Sequence, residues 1–280
     1  DIGLGVFRCM DVVLGGLDNR EARLAINQSC YKVNKPWIDG AIEVLNGFAR
    51  VFTPPGPCYE CTMTETDWKL INKRKSCALL THDEMLEGKT PTTPTSSSII
   101  AGIQVQEMLK LLHNDRNLPT LAGKGYVFNG LTHDSFVVGY QLKDGCMSHD
   151  LYEDIRETNW SAREITLREV LSQAEKDLGS GAVIEFDRDI ATSAACTCGC
   201  TKDIFNTVNR LRGKDIVCEK CGKSMQFETV HTITGEETYL DKTLFEIGIP
   251  LFHIIPARKG SKYVYYELTK DKKEVLGGIL

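Results

Sequence analysis

Cysteine pairs are the residues of this chain whose spacing most directly indicates chemistry. The 280 residues include 11 cysteines, and most of them lie within a few positions of another one. Thiolates at Cys-x-x-Cys spacing are typical zinc ligands, and disulfides are rare in cytosolic proteins, so the pairs favour metal binding. A site with four protein ligands has no open coordination position, which predicts structural metal.

Cys58 and Cys61 form the first pair and need two further ligands. Cys146 and His149 have matching spacing after one more predicted helix and two strands. Zinc accepts three cysteines and one histidine, so we expect these four residues to form one site. The alternative is a set of buried cysteines without metal.

A second pair, Cys218 and Cys221, is followed by glycine, as in a zinc knuckle. Cys196, Cys198 and Cys200 compete for the two remaining ligand positions. We expect Cys198 and Cys200 to bind, with Cys196 as the alternative. Iron–sulfur ligation is a further alternative, although the spacings do not fit its usual runs.

Cys77 has no partner at ligand spacing. It follows Lys73-Arg-Lys75 and lies in a polar segment that we expect to be irregular. Basic neighbours lower the pKa of a thiol and favour the nucleophilic thiolate. Cys77 is therefore a candidate nucleophile, and the alternative is a free cysteine in a loop.

Hydrophobic patterning predicts the elements that position these residues. An apolar run over residues 10–17 predicts a buried parallel strand, followed by a helix over residues 20–33 that Asp18 and Asn19 cap. Two strands joined by a turn follow, over residues 37–52. Asp18 lies at the end of the first strand, where α/β sheets bind ligands. Its carboxylate is a candidate Mg²⁺ ligand, with a helix N-cap as the alternative.

The rest of the chain predicts further helices and strands. An amphipathic helix over residues 99–112 and strands over residues 126–128 and 135–142 complete the first part. Thr166 and Glu169 form the pattern of a capping box at the start of a helix. The remaining predicted elements are strands over residues 182–186, 226–233, 252–255 and 262–268 and a short helix over residues 240–248.

The composition is that of a globular protein, with 42% hydrophobic and 25% charged residues. The formal net charge of -5 argues against a general nucleic-acid binder. No apolar run is long enough to cross a membrane. We expect a cytoplasmic protein that binds neither nucleic acid nor membranes.

The segment from Gly16 to Arg23, which reads Gly-Leu-Asp-Asn-Arg-Glu-Ala-Arg, is followed by Asn27. Together with the later Pro-Cys-x-x-Cys and the Pro-Thr before a glycine-containing helix, it resembles the ubiquitin-activating (E1-like) and ThiF-type adenylyltransferase superfamily. The resemblance covers residues 10–150. It implies a partial, Rossmann-like ThiF-type adenylation domain over residues 1–150.

The resemblance also implies the roles of individual residues. Asp18, Asn19 and Arg23 would bind ATP, with Asp18 holding Mg²⁺, and Cys77 would form a thioester. Where the family has a second Cys-x-x-Cys, this chain has Cys146 and His149. No Gly-x-Gly-x-x-Gly loop occurs, so we expect an N-terminally truncated fragment that does not bind ATP alone.

Residues 160–280 look like the ubiquitin-fold domain that follows the catalytic region in eukaryotic-type activating enzymes. The resemblance implies an α+β, β-grasp-like domain that recruits a conjugating enzyme. A zinc ribbon inserted at about residues 195–224 departs from the family pattern.

The sequence therefore predicts a ubiquitin-like modifier activating enzyme that uses ATP, Mg²⁺ and two Zn²⁺ ions. Its partners would be a ubiquitin-like modifier, a conjugating enzyme, and a second copy or a homologous adenylation domain. One alternative is a ThiF- or MoeB-like adenylyltransferase for a sulfur carrier. The other is a non-catalytic, zinc-stabilised partner subunit.

Overall fold

The computed structural model describes residues 2–76, 92–115, 117–211 and 215–277. The chain divides into two units. The N-terminal unit is Phe7–Leu151, and the C-terminal unit is Tyr152–Leu280 together with the residues up to Val6. The division lies next to residue 150, where the sequence suggests a domain boundary.

The N-terminal unit contains a five-stranded mixed sheet in the order β1-β2-β3-β4-β5. The β1–β2 pair is parallel and the other pairs are antiparallel. Helix α2 connects the parallel strands, which confirms the predicted α/β unit. Helix α1 (Leu4–Cys9) includes residues of both units. The other elements of the N-terminal unit are β1 (Val13–Gly16), α2 (Arg20–Lys32), β2 (Trp37–Glu43), β3 (Asn46–Phe52), α3 (Glu65–Ser76), α4 (Pro94–His113), β4 (Lys124–Asn129) and β5 (Ser135–Gly139).

The N-cap of α2 is Asn19. Its side-chain oxygen accepts a hydrogen bond from the Ala22 backbone N–H at 2.7 Å, which satisfies one of the free donors of the first turn. Asp18 is exposed and precedes the cap. The N-cap role suggested as the alternative for Asp18 is therefore filled by Asn19.

An aromatic core lies between α2 and the sheet. Trp37 and Phe52 are 1% exposed, and their ring centroids are 5.2 Å apart. Tyr59 packs edge-on against both rings. Burying a large apolar side chain contributes about 1.5–3 kcal/mol, so this cluster is a major source of stability for the unit.

Helix α4 begins five residues before the predicted start, because Thr93 caps it and Pro94 occupies its first turn. Its buried face is formed by Ser96, Ile100, Gln104 and Glu107. Several apolar positions that the sequence assigns to a buried face are exposed, namely Ile99, Val105, Leu109 and Leu112. The side facing the sheet is therefore partly polar, which hydrophobic periodicity alone does not predict.

Gln104 ties α4 to the parallel strands. Its side-chain N–H₂ donates to the backbone oxygens of Gly15 at 2.9 Å and Ile38 at 3.0 Å. Gly40 accommodates this side chain, since a Cβ at that position would lie 2.4 Å from the Gln104 oxygen. The approach of α4 to the sheet thus depends on a hydrogen-bonded amide.

Helix α3 differs from expectation. The polar sequence before Cys77 predicts an irregular segment, but a helix extends over Glu65–Ser76. The Asp67 side chain accepts from the Thr64 backbone N–H at 2.9 Å and the Thr64 hydroxyl at 2.8 Å, which closes the first turn.

The C-terminal unit contains a six-stranded sheet. Five strands follow the order β6-β11-β10-β7-β8, and β9 also pairs with β7. The β6–β11 pair is parallel and the others are antiparallel. The elements are β6 (Ile155–Thr158), α5 (Leu167–Leu178), β7 (Val183–Ala195), β8 (Thr201–Thr207), β9 (Gln226–Ile233), β10 (Ile254–Lys259), β11 (Lys262–Leu268) and α6 (Lys272–Leu276).

The predicted capping box at the start of α5 is confirmed, with Thr166 and Glu169 exchanging hydrogen bonds. Strand β7 is longer than predicted and extends to Ala195, directly before the second group of cysteines. The short helix predicted over residues 240–248 is wrong. The Leu244 and Phe245 N–H groups donate to backbone oxygens of residues 165 and 162, so tertiary contacts replace the helical hydrogen bonds.

The part of the chain that the structure describes contains no helix long and apolar enough to cross a membrane.

Replacing Gln104 with leucine should destabilise the N-terminal unit. The substitution keeps the side-chain size but removes the donors of two buried carbonyls, each costing about 1–3 kcal/mol when left without a partner. Urea-induced unfolding should therefore show that the free energy of unfolding falls by about 2 kcal/mol or more. Gln106→Leu, at an exposed position of the same helix, is the matched control. Equal effects of the two variants would contradict the assigned role of Gln104.

Candidate functional site

The loop at residues 17–19, here called the Asp18 loop, lies at the carboxyl end of β1. Asp18 is exposed, and its Oδ1 accepts a hydrogen bond from the Asn19 side-chain amide at 2.8 Å. Asn19 therefore both caps α2 and holds the neighbouring carboxylate. An exposed carboxylate at the carboxyl end of a parallel strand has the chemistry of a Mg²⁺ ligand.

Arg23 lies one turn into α2 and is 8% exposed. Its guanidinium donates to Asp39 Oδ1 at 2.9 Å and to the Leu17 backbone oxygen at 2.6 Å. It also donates to the backbone oxygens of Asn19 at 3.4 Å and Gly40 at 3.2 Å. These contacts direct the guanidinium into the protein, beneath the Asp18 loop.

Asp39 has no exposed surface and is bound from two sides. Arg23 binds one carboxylate oxygen, and Arg50 binds the other at 2.9 Å and 2.5 Å. Burial opposes the charge of Arg50, but the adjacent Asp39 outweighs this effect and raises the pKa of the guanidinium. Neither Asp39 nor Arg50 is part of the motif found in the sequence, and only their contacts identify them.

The structure brings Cys58, Cys61, Cys146 and His149 together as the first cysteine cluster. Their ligand atoms all lie within 4.8 Å of one another. The Cys58 sulfur is 3.7 Å from that of Cys61 and 3.6 Å from that of Cys146, and His149 Nε2 is 3.3 Å from the Cys61 sulfur. Zinc–sulfur bonds of 2.3 Å place tetrahedral sulfurs about 3.8 Å apart, so these residues fit a zinc ion.

Side chains around the first cysteine cluster orient its ligands. The ring of His149 stacks on Tyr31 with centroids 4.6 Å apart. The Asn27 side-chain oxygen accepts from the backbone N–H of Tyr59, next to Cys58, at 2.8 Å. Ser148, next to His149, donates to the buried Glu60 at 2.5 Å. Of these residues only Asn27 lies in the recognised motif, because the others have no distinctive spacing.

Ionisation in this cluster is set mainly by burial. Burial raises the pKa of Cys58, and a hydrogen bond from Asn27 partly offsets this effect. Burial lowers the pKa of His149, which favours the neutral imidazole that binds metal. A bound cation would favour the thiolate forms.

The second cysteine cluster consists of Cys196, Cys198, Cys218 and Cys221. The Cys196 and Cys221 sulfurs are 3.4 Å apart, and those of Cys198 and Cys218 are 3.6 Å apart. Four cysteine sulfurs within 4.8 Å of one another also fit a tetrahedral zinc ion.

The sulfur of Cys196, and not that of Cys200, lies in this set of four, which favours the alternative weighed in the sequence analysis over Cys200. The turn after β7 explains the difference. The N–H of Cys196 donates to the oxygen of Cys200 at 2.8 Å, and the N–H of Gly199 donates to the oxygen of Cys196 at 2.9 Å. This tight turn contains Gly199 at a φ of 86° and ends at Cys200, the residue directly before β8.

Backbone donors favour the thiolate form of Cys218. The N–H groups of Cys221 and Lys220 lower the pKa of Cys218 to about 6. The glycine at position 222 has a φ of 69°, and its N–H donates to the Cys218 oxygen at 2.8 Å. Cys218 and Cys221, on either side of this turn, both lie in the group of four sulfurs.

Cys77, the predicted nucleophile, lies outside the described residues. The described part of the chain ends before it at Ser76, the last residue of α3.

Residues 4–147 match the ThiF family, so this chain belongs to that family. Among curated proteins, its relatives include ubiquitin-like modifier-activating enzyme 5. The protein of Dictyostelium discoideum is 29% identical over 122 residues, which cover 41% of this chain and 29% of the relative. The protein of Rattus norvegicus is 28% identical over 118 residues, which cover 39% and 26%. The matched segment thus spans less than a third of each of these relatives.

Two solved structures show weaker similarity. E. coli MccB with ATP is 15% identical, with a TM-score of 0.38 and coverage of 50% of this chain and 39% of MccB. The heterocyclase TruD is 19% identical, with a TM-score of 0.33 and coverage of 50% and 22%. At this level the similarity indicates nothing about activity.

Zinc content can identify the ligands of the second cysteine cluster. We predict about two zinc ions per chain by elemental analysis, one for each set of four ligands. Cys196→Ser should lower this to about one, because it removes a sulfur from the set. Cys200→Ser is the matched control and should leave about two. The reverse outcome, with metal lost only in Cys200→Ser, would restore the assignment drawn from the sequence.

Proposed function

We propose that this chain is part of an enzyme that activates a ubiquitin-like modifier. ATP adenylates the C-terminal carboxyl group of the modifier, and a cysteine then takes the acyl group as a thioester. The similarity to ubiquitin-like modifier-activating enzyme 5 carries this proposal. Membership of the ThiF family and the exposed Asp18 at the end of a parallel strand support it.

Asp18 would bind the Mg²⁺ that accompanies the nucleotide phosphates. Oxygen ligands suit Mg²⁺, and the ion would supply positive charge next to the phosphates. Asn19 supports this role because its amide holds one oxygen of the carboxylate. Asp18 itself orients the ion and transfers no proton.

Cys77 would accept the modifier from the adenylate. The thiolate attacks the acyl carbon, a carbon–sulfur bond forms, and AMP leaves with the electrons of the acyl–phosphate bond. The preceding basic residues favour the thiolate.

The two cysteine clusters would each hold a structural zinc ion, since each supplies four protein ligands. The C-terminal unit, with a helix against a mixed sheet, would be the β-grasp-like module that recruits a conjugating enzyme. The second cluster would stabilise the zinc ribbon. Pairing with a second copy or a homologous adenylation domain completes the proposed assembly, in the cytoplasm.

Asp18→Asn in the full-length gene product should reduce modifier-dependent exchange between ATP and pyrophosphate. Mutating residues that hold metal ligands in place typically lowers metal affinity or activity about 10–100-fold. For a direct ligand we therefore expect the exchange rate to fall roughly a hundredfold or more. Asp11→Asn is the control, because Asp11 is also exposed but lies at the amino end of β1. Normal exchange by Asp18→Asn would rule out the assigned role.

Cys77→Ala should separate the two chemical steps. The full-length variant should keep pyrophosphate exchange but lose the thioester-linked modifier, which added thiols cleave by acyl transfer, because only the second step needs the nucleophile. Cys9→Ala, at a partly buried free cysteine, should keep both. A thiol-cleavable modifier adduct on Cys77→Ala would place the thioester elsewhere.

The same assays decide between the alternatives. Exchange that depends on a sulfur-carrier protein, without a thioester on the enzyme, would indicate the ThiF- or MoeB-like function. Membership of the ThiF family is the observation that favours this second candidate. No exchange with any modifier would indicate the non-catalytic partner subunit.

A further inference from the structure

Arg23 contacts the backbone on both sides of Asp18. One guanidinium nitrogen donates to the oxygen of Leu17, the residue before Asp18, at 2.6 Å. Another donates to the oxygen of Asn19, the residue after it, at 3.4 Å. A single side chain thus binds the two carbonyls that flank the exposed carboxylate.

The guanidinium is itself fixed in place. Asp39, which is fully buried, accepts from the Arg23 Nε at 2.9 Å, and the Gly40 oxygen accepts from a terminal nitrogen at 3.2 Å. Arg50 holds the second oxygen of Asp39. A planar guanidinium with this many partners has one orientation, which a lysine ammonium would not reproduce.

We propose that Arg23 is the positioning residue of the Asp18 loop. Its guanidinium donates hydrogen bonds both to the carbonyls of residues 17 and 19 and to the carboxylate of Asp39. It thereby fixes the direction in which Asp18 faces a Mg²⁺-bound nucleotide. The role for the nucleotide rests on the proposed function, and it replaces the direct ATP contact that the sequence resemblance implies for Arg23. The buried guanidinium binds the loop backbone from within the protein, and in this role it does not touch the ligand.

Arg23→Lys tests this role in the 280-residue chain. The lysine keeps a positive charge beside Asp39 but cannot bind Leu17, Asn19 and Gly40 together. Backbone order parameters of residues 17–19, measured by ¹⁵N relaxation, should fall from about 0.85 to below about 0.6. Thermal unfolding and zinc content establish that the variant is folded.

Two arginine variants serve as controls. Arg20→Lys changes an exposed residue of the same helix that pairs with Asp67. Arg50→Lys changes the other buried partner of Asp39, which in the described residues makes no hydrogen bond to the Leu17 or Asn19 oxygens. Both should leave the loop ordered. If Arg50→Lys lowers the order parameters of residues 17–19 as much as Arg23→Lys does, the assignment is overturned. The loop order would then depend on the ion pairs with Asp39 and not on the contacts of Arg23 with the loop.

A measurement on the unsubstituted chain does not depend on how a variant folds. The Arg23 Nη protons that bind the Leu17 and Gly40 oxygens should give separate, slowly exchanging resonances. Those of the exposed Arg20 should be averaged by rotation. Averaged Arg23 resonances would overturn the proposal.

Activity of the full-length gene product supplies the final readout. Arg23→Lys should raise the KM for Mg²⁺·ATP in pyrophosphate exchange by roughly ten- to a hundredfold, the effect of a small misplacement. The KM for the modifier should not change. Unchanged loop order in Arg23→Lys overturns the positioning role whatever the activity. If Arg23→Lys loosens the loop but the unsubstituted full-length protein shows no exchange, the positioning role of Arg23 is supported and the proposed function is wrong.

Discussion

The N-terminal unit depends on a carboxylate, that of Asp39, which lies entirely out of solvent between two guanidinium groups. A lone ion in such a place costs several kcal/mol, so the three charges are stable only together. Arg23 extends from α2 and Arg50 from β3, and Asp39 belongs to β2. The ion pairs therefore fix the helix against both strands, and the Asp18 loop lies where helix and sheet meet.

The first cysteine cluster is built on the same helix. Asn27, one turn beyond Arg23, accepts hydrogen bonds from the Tyr59 backbone and from the Trp37 ring. The guanidinium of Arg50 lies 5.0 Å from the centre of the Tyr59 ring. Metal in this cluster would hold the segment after β3 in position against α2. The first cysteine cluster and the exposed carboxylate of Asp18 thus share one support, the helix α2.

The second cysteine cluster has a different setting. It follows β7, and the buried apolar residues around it are few, comprising Ala194, Cys196, Cys218 and Met225. So small a group cannot supply the burial that a folded segment needs, and small metal-binding modules replace the missing core with metal–ligand bonds. The sheet of the C-terminal unit has its own large core, in which α5 packs on β7, β10 and β11.

The sequence by itself determined the features that depend on local spacing. The parallel β1–α2–β2 unit, the ThiF family and the capping box at Thr166 are all readable from short segments, because caps, turns and periodicity act between near neighbours. Tertiary structure decided the rest. It grouped the sulfur of Cys196, and not that of Cys200, with the other three sulfurs, made the inner face of α4 partly polar, and brought Asp39 and Arg50 beneath the Asp18 loop. These outcomes depend on contacts between segments far apart in the chain, whose energies no local pattern encodes.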